Sequence, residues 1–436
     1  MEYTKELSYN KQAAKKKKHN GKRWAIVSVA SIPLVMTLGN SMLIPVLPLF
    51  EKKLGISTFQ SSMIITVYSI VAIFLIPIAG YLSDKIGRKK VIIPSLIIAG
   101  IGGLIAGWGS WMADSPYVYI LIGRIFQGIG AAGAAPIVMP LVGDMFSDEE
   151  EVSSFLGVIE TSNTLGKVLS PILGAFLASF LWFSPFFAFP IFCIISIALM
   201  LFLVKSPESK QDPIPFKDFL YAIRSIFHSK GRWIYAVFAI GCILMFVLFG
   251  VLFYLSSMLE DKHGIHGLKK GLVLAIPLAS LCLASYFTGK KISKNKVLMK
   301  WITFSGLVLL SLAIFIISFS QNIWFLLTAF FFCGLGIGVA LPCLDAFLTE
   351  GIEKEQRGTI TSIYSSMRFV GVALGPPVFA ILMKTSHQFM FYSATALCVI
   401  AGVVTLFAIT PKQTSCVKTK NEEGNPSSFL CELTKF

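Results

Sequence analysis

Apolar runs of about 20 residues recur from residue 24 to residue 410, and no other feature constrains the fold of this chain so tightly. Each run is long enough to cross roughly 30 Å of hydrocarbon as a helix. In lipid, every backbone N–H and C=O must find its partner within the segment, so runs of this length read as helices. Twelve spans are expected, at roughly 24–50, 60–80, 91–113, 117–141, 153–180, 182–204, 233–257, 269–289, 297–319, 322–346, 359–381 and 388–410. Composition agrees: 55% of the residues are hydrophobic and 14% charged, where a soluble domain has about 25% charged residues. The chain reads as an all-α polytopic membrane protein. The basic segment "KQAAKKKKHNGKR" could open a signal peptide, but the apolar run behind it is about 27 residues long and lacks a small-residue cleavage site. An uncleaved first helix is expected.

A net charge of +15 invites a nucleic-acid reading, and the distribution of that charge opposes it. With both termini placed in the cytoplasm, 28 of the 38 Lys and Arg fall in cytoplasmic segments. That asymmetry is the positive-inside bias, which sets orientation. The basic N-tail then reads as a solvated topology signal beside anionic lipid. Six of the eight cysteines lie in spans, and Cys416 and Cys431 lie in the C-terminal tail. No disulfide framework, metal site or cofactor is expected from such an arrangement. The expected surroundings are the bilayer of the cell membrane, and the expected state is a monomer.

The hydrophobic pattern breaks once, at 205–232, and divides the spans six and six. The expected organisation is a basic cytoplasmic tail (1–23), an N-terminal half (24–204), a cytoplasmic loop (205–232), a C-terminal half (233–410) and a cytoplasmic tail (411–436). The halves also match in sequence. Segment 55–80 aligns with 264–289 at an offset of 209, which becomes 206 after a three-residue deletion. Gly128, Gly130, Pro136 and Pro171 then fall on Gly334, Gly336, Pro342 and Pro377. Tandem six-helix halves are the architecture of alternating-access transporters.

Several motifs carry a family resemblance. "GYLSDKIGRKKV" (80–91) resembles the loop between helices two and three of the major facilitator superfamily, through Gly80, Leu82, Asp84, Gly87, Arg88 and Lys89. "RIFQGIGAA" (124–132) resembles the fourth-helix motif through Arg124, Gln127, Gly128, Gly130, Ala131 and Ala132. "GVIETSNTLGKVLSPILGA" (157–175) resembles the fifth-helix antiporter motif in part: Gly166, Pro171 and Gly174 fit, while Ser170 and Ala175 replace two glycines. "NSMLIPVLP" (40–48) is similar to the end of helix one in the twelve-helix drug:proton antiporter branch. The resemblance covers nearly the whole chain.

It implies a cytoplasmic latch, with Gly80 and Gly87 permitting the turn and Asp84, Arg88 and Lys89 tying helix ends together. The acidic run 148–151 offers partners for the cations of this loop. The second half lacks a counterpart of Asp84; there Glu350, Glu353, Glu355 and Arg357 are candidates to pair with lysines at 290–300. Gly128, Gly130, Gly166, Pro171 and Gly174 are read as helix-packing positions. Arg124 is costly inside a span; the family places it near the proton pathway, and a purely structural hydrogen-bonding role stands beside that.

The stretch 157–175 is the most unusual of the spans. Glu160, Asn163, Thr164 and Lys167 share one helix face, because steps of three, four and seven return to similar angles. Glu160 and Lys167 lie about 10 Å apart along the axis. One reading is a lipid-shielded structural ion network. The other is a water-filled cavity in which Glu160 exchanges protons and Lys167, Asn163, Thr164 and Arg368 meet substrate. Burial raises the proton affinity of a carboxyl and a nearby ammonium lowers it, so a cavity that opens and closes would switch it. Asp345 is the second candidate acid, and Arg124, Lys167 and Arg368 are the clear intramembrane cations. This balance favours an anionic or polyhydroxylated substrate, such as a siderophore-like metabolite.

The expected function is a proton-coupled secondary transporter that exports a drug-like or anionic small molecule. An uptake permease for an organic anion and a lipid or glycolipid flippase remain open on the sequence. Loop 205–232 and tail 411–436 are too short for a sensor's output domain, and no nucleophile–base set, metal cluster or phosphate loop suggests an enzyme.

Overall fold

The computed structural model describes residues 2–146, 149–204, 221, 231–292, 295–352, 354–410, 414–418 and 429–433. The first half comprises α1 (Glu2–Ser41), α2 (Leu47–Leu54), α3 (Thr58–Ile86), α4 (Arg88–Met112), α5 (Pro116–Ala134), α6 (Val138–Met145), α7 (Glu149–Phe180) and α8 (Ser184–Leu203). The second comprises α9 (Arg232–Asp261), α10 (Gly267–Lys291), α11 (Lys296–Ile317), α12 (Ile323–Gly351), α13 (Lys354–Thr385) and α14 (His387–Ala408). Short 3₁₀ turns at Ile44–Val46 and Ala135–Ile137 join α1 to α2 and α5 to α6. Each turn holds a proline, Pro45 or Pro136, which removes a helical donor and crowds the preceding turn. These two pairs are therefore interrupted single spans.

Among the described residues, eleven helical stretches are long and apolar enough to cross a membrane. The twelfth long helix is α7, whose 32 residues include Glu160, Lys167 and a series of Ser, Thr and Asn side chains. Its length is that of a span and its polarity is not. Two details differ from the sequence reading. Helix α1 is continuous from Glu2, through the segment expected as a separate tail. Part of the C-terminal tail forms an antiparallel hairpin, β1 (Thr414–Lys418) with β2 (Phe429–Leu433). Most of the 205–232 loop lies outside the described residues.

Glycines set the helix spacing. A Cβ on Gly128 would meet the Tyr68 carbonyl of α3, and one on Gly130 would meet the Ser95 carbonyl of α4. One on Gly174 would collide with the Met42 carbonyl at the end of α1, while Gly166 lies against Leu34 and Thr37 of α1. In the second half Gly334 faces the Pro277 carbonyl of α10. Gly128 and Gly334 are repeat equivalents, and so are Tyr68 and Pro277 under the 209-residue offset, so the duplication is visible in the packing as well as in the sequence.

Two long seams join the halves, α3 against α13 and α7 against α10. Along the first, Thr66 Oγ1 donates to the Ala373 carbonyl at 2.8 Å, Tyr68 lies beside Phe369, and Gly80 packs against Ser362. Along the second, Gly271 sits against the Pro171 carbonyl. Helices alternate in direction, so the start of α9, the α3–α4 turn and the end of α14 share one end of the molecule, the tail end.

Candidate functional site

Helix α7 carries its polar face into the middle of the molecule. Lys167 is buried, with 8% exposure, and the charges of Arg368, Glu160 and Asp345 all act on it. Arg368 and Asp345 come from α13 and α12 and form an ion pair at 3.5 Å. The Arg368 guanidinium also lies 5.6 Å from the ring centre of Tyr364, one helical turn away, within cation–π range. Two acids and two cations therefore meet at mid-depth, one of each sign from either half of the chain. The sequence balance of three cations needs correcting, because Arg124 belongs elsewhere.

The neighbours of this quartet fix its side chains. Asn163 Oδ1 accepts from Thr37 Oγ1 of α1 at 2.6 Å, and its amide donates to Glu160 Oε1 at 3.4 Å. Thr164 is buried, and its hydroxyl donates to the Glu160 carbonyl one turn back at 2.8 Å. That bond holds Thr164 on its own helix. Asp345 and Arg368 keep 29% and 18% side-chain exposure. Beside the quartet lies a small apolar cavity lined by Ile44, Leu248, Phe249, Leu252, Leu274 and Leu278, with Ser41, Lys167 and Pro171 completing the wall.

Arg124 occupies a different pocket, formed by α1, α3 and α5, and is fully buried. Its Nε donates to the Ile64 carbonyl at 2.8 Å, and its terminal nitrogens donate to the Gly39 carbonyl, Gln127 Oε1 and Asn40 Oδ1 at 3.2, 2.7 and 2.6 Å. The guanidinium also lies 4.3 Å from the ring centre of Tyr68. Four neutral acceptors and an aromatic face replace water around the cation, and these contacts tie three helices of one half together.

At the tail end, the 80–91 turn is held by Arg88. It donates to Ser83 Oγ at 2.8 Å, to Asp144 Oδ2 of α6 at 3.1 Å and pairs with Asp84. Gly87, between α3 and α4, has φ +103°, a conformation that favours glycine. Lys89 donates to the Val204 carbonyl at 2.7 Å, just past the end of α8. Gly80, Ser83, Asp84 and Arg88 border a small cavity with Gly358, Thr359 and Ser362 of α13, so this turn adjoins the other half. Among the described side chains Arg88 takes Asp144, and Glu151 of the 148–151 run takes Lys22 at 2.7 Å. Asp148 and the side chains of Glu149 and Glu150 lie outside the described residues, as do the side chains of Glu353, Glu355 and Arg357.

At the far end stands a charge cluster that sequence reasoning missed. Glu260, at the end of α9, accepts from Lys52 of α2 at 2.9 Å and from Lys270 of α10 at 2.8 Å. Glu260 and Lys270 are buried. Their positions beside the loop 262–266 made them look like ordinary loop charges.

Two six-helix groups, joined along two seams and facing each other with charges at mid-depth, define a two-halved membrane transporter of small molecules. The Major Facilitator Superfamily model matches residues 29–376 and 299–431. The chain belongs to that superfamily. It is similar to the bacillibactin exporter of Bacillus subtilis (strain 168), with 55% identity covering 89% of this chain and 97% of that protein. It also resembles the Multidrug resistance protein 2 of the same organism, at 26% identity over 87% of this chain and 94% of the other. Among solved structures, the human organic anion transporter MFSD10 (TETRAN) superposes with a TM-score of 0.70 at 19% identity, covering 88% of this chain and 99% of that one. That last likeness speaks to the fold alone.

Proposed function

We propose that this chain exports an anionic, siderophore-like metabolite in exchange for protons by alternating access. The observation that carries the reading is the mid-depth quartet, in which Lys167 from one half faces the Arg368–Asp345 pair of the other. A ligand held between them touches both halves, which is what a rocking mechanism requires. Resemblance to a bacillibactin exporter supports the direction and the class of substrate. Both termini lie in the cytoplasm, in keeping with the basic segments there, so the tail end is inner and the far end outer. With its outer end bridged by Lys52 and Glu260, the molecule stands closed to the outside. It works as a monomer in the cell membrane.

In the cycle, Lys167 and Arg368 attract the anion from the cytoplasm, and the halves rock to expose it outside. Glu160 and Asp345, arriving with it, take up protons from the outer medium and carry them back. Exchange requires that the site carry either the anion or the protons, so Glu160 and Asp345 are ionised while the anion is held and protonated on the return. In inside-out vesicles loaded with an acidic lumen, uptake of bacillibactin should rise with the proton gradient. Glu160→Gln should abolish that gradient response, and a normal response in this variant would remove Glu160 from the coupling. Lys167→Gln should raise the KM for the anion about tenfold or more, the scale of one lost charge-assisted contact.

A further inference from the structure

Lys270 is an unusual lysine. It is 1% exposed, in a span where a cation is expensive, and its ammonium meets Glu260 Oε2 at 2.8 Å. The other oxygen of the same carboxylate meets Lys52, which belongs to the opposite half of the chain. His266 Nδ1 lies 3.8 Å from Glu260, and Asp261 Oδ1 lies 3.9 Å from Lys52. One buried carboxylate is thus clamped by a lysine of its own half, Lys270, and by Lys52 across the boundary that must part when the outer side opens. A buried ion pair is weak evidence for stability, since an apolar pair of similar volume often serves as well.

The position of Lys270 suggests what the charges are for. On α10, residues 270, 274, 278 and 282 recur at steps of four and share one face. Leu274 and Leu278 line the small apolar cavity, and Cys282 lies near Lys167. The face therefore runs from the mid-depth quartet to the outer cluster, over about 18 Å of rise. An anion released from Lys167 has an apolar stretch to cross, and the cations at its outer end are Lys270 and Lys52.

We infer that Lys270 and Lys52 form an outer anion site, occupied in the closed state by the protein's own Glu260 carboxylate and presented to the substrate anion as the halves separate. The class of ligand is a carboxylate or catecholate, the same as at the inner site, so this inference rests on the export reading above. When Lys52 withdraws with its half, Glu260 keeps Lys270 as its partner, and neither half is left with a bare buried charge. The departing anion then shares Lys270 with Glu260 and leaves past Lys52.

The test measures two constants for one probe, bacillibactin, in oriented vesicles. One is the KM at the cytoplasmic face; the other is the inhibition constant of bacillibactin added at the outer face. In Glu260→Gln/Lys270→Gln, a neutral pair of similar size, the outer constant should rise tenfold or more while the inner KM stays within twofold. Lys52→Gln, at a half-exposed position, should raise the outer constant in the same direction. An outer constant unchanged in both variants would overturn the inference, and so would inner and outer constants rising together, as a packing defect produces. If the wild-type protein shows no saturable transport of the probe, it is the export reading that fails.

Discussion

At the scale of single residues, burial separates charges that the sequence lists together. Arg124 and Lys167 are both cations inside spans, yet the first is enclosed by neutral acceptors within one half and the second faces charges from the other half. Arg124→Gln should lower the unfolding temperature in detergent, because each buried acceptor left unpaired costs about 1–3 kcal/mol. Arg124→Lys should not restore it, since an ammonium lacks the planar fork that reaches four acceptors. Equal melting of wild type and Arg124→Lys would contradict this account. Glycine offers a second contrast. Gly174→Ala should cost about 1–3 kcal/mol by overpacking against Met42, while Gly157→Ala, which meets nothing within 4 Å, should be tolerated.

At the scale of elements, much was legible. Twelve apolar runs announce twelve long helices, since hydrocarbon leaves a backbone little other choice. Helix α7 also stood out, because Glu160 and Lys167 recur at helical spacing in an otherwise apolar chain. Partners were not legible. Arg368 meets Asp345 at a separation of 23 residues, and Lys52 meets Glu260 at 208; no local periodicity encodes either. Lys270 escaped notice because a lysine in the first turn of a span looks solvated until its neighbours are known. Helix ends were read less well than helices, as the continuous α1 shows. The α3–α4 turn yields its own prediction. Arg88→Lys keeps the charge but loses the fork that spans Ser83, Asp84 and Asp144, so transport should slow while protein yield in the membrane is retained. Full activity of Arg88→Lys would show that charge alone suffices there.

At the scale of the whole molecule, the two ends are held by different means. The far end is closed by ion pairs between the halves, with Ser256 Oγ donating to the Ile44 carbonyl at 2.8 Å as a further tie. Paired cysteines at Lys52 and Asp261, both exposed and with side chains 3.9 Å apart, should be joined by a short cross-linker. Transport should stop on cross-linking and return on cleavage of the link; continued transport by the linked protein would mean that this end does not open. Charge capping recurs in the two halves, at positions that are not repeat equivalents. Lys89 donates to the Val204 carbonyl after α8, and Lys300 donates to the Leu406 carbonyl near the end of α14 at 2.8 Å. Each half thus fastens its own last helix with a lysine from its third span, in accord with the preference of cations for helix C-termini.

The seams have a mechanical consequence. Where α7 crosses α10, Gly271 rests on a backbone carbonyl, and where α3 crosses α13, Gly80 rests on the Ser362 side chain. Surfaces this smooth and closely set behave like the bearings of a rocker: they let two rigid blocks roll past one another without meshing. A bulky side chain at either glycine would act as a wedge between the two blocks, hindering their swing.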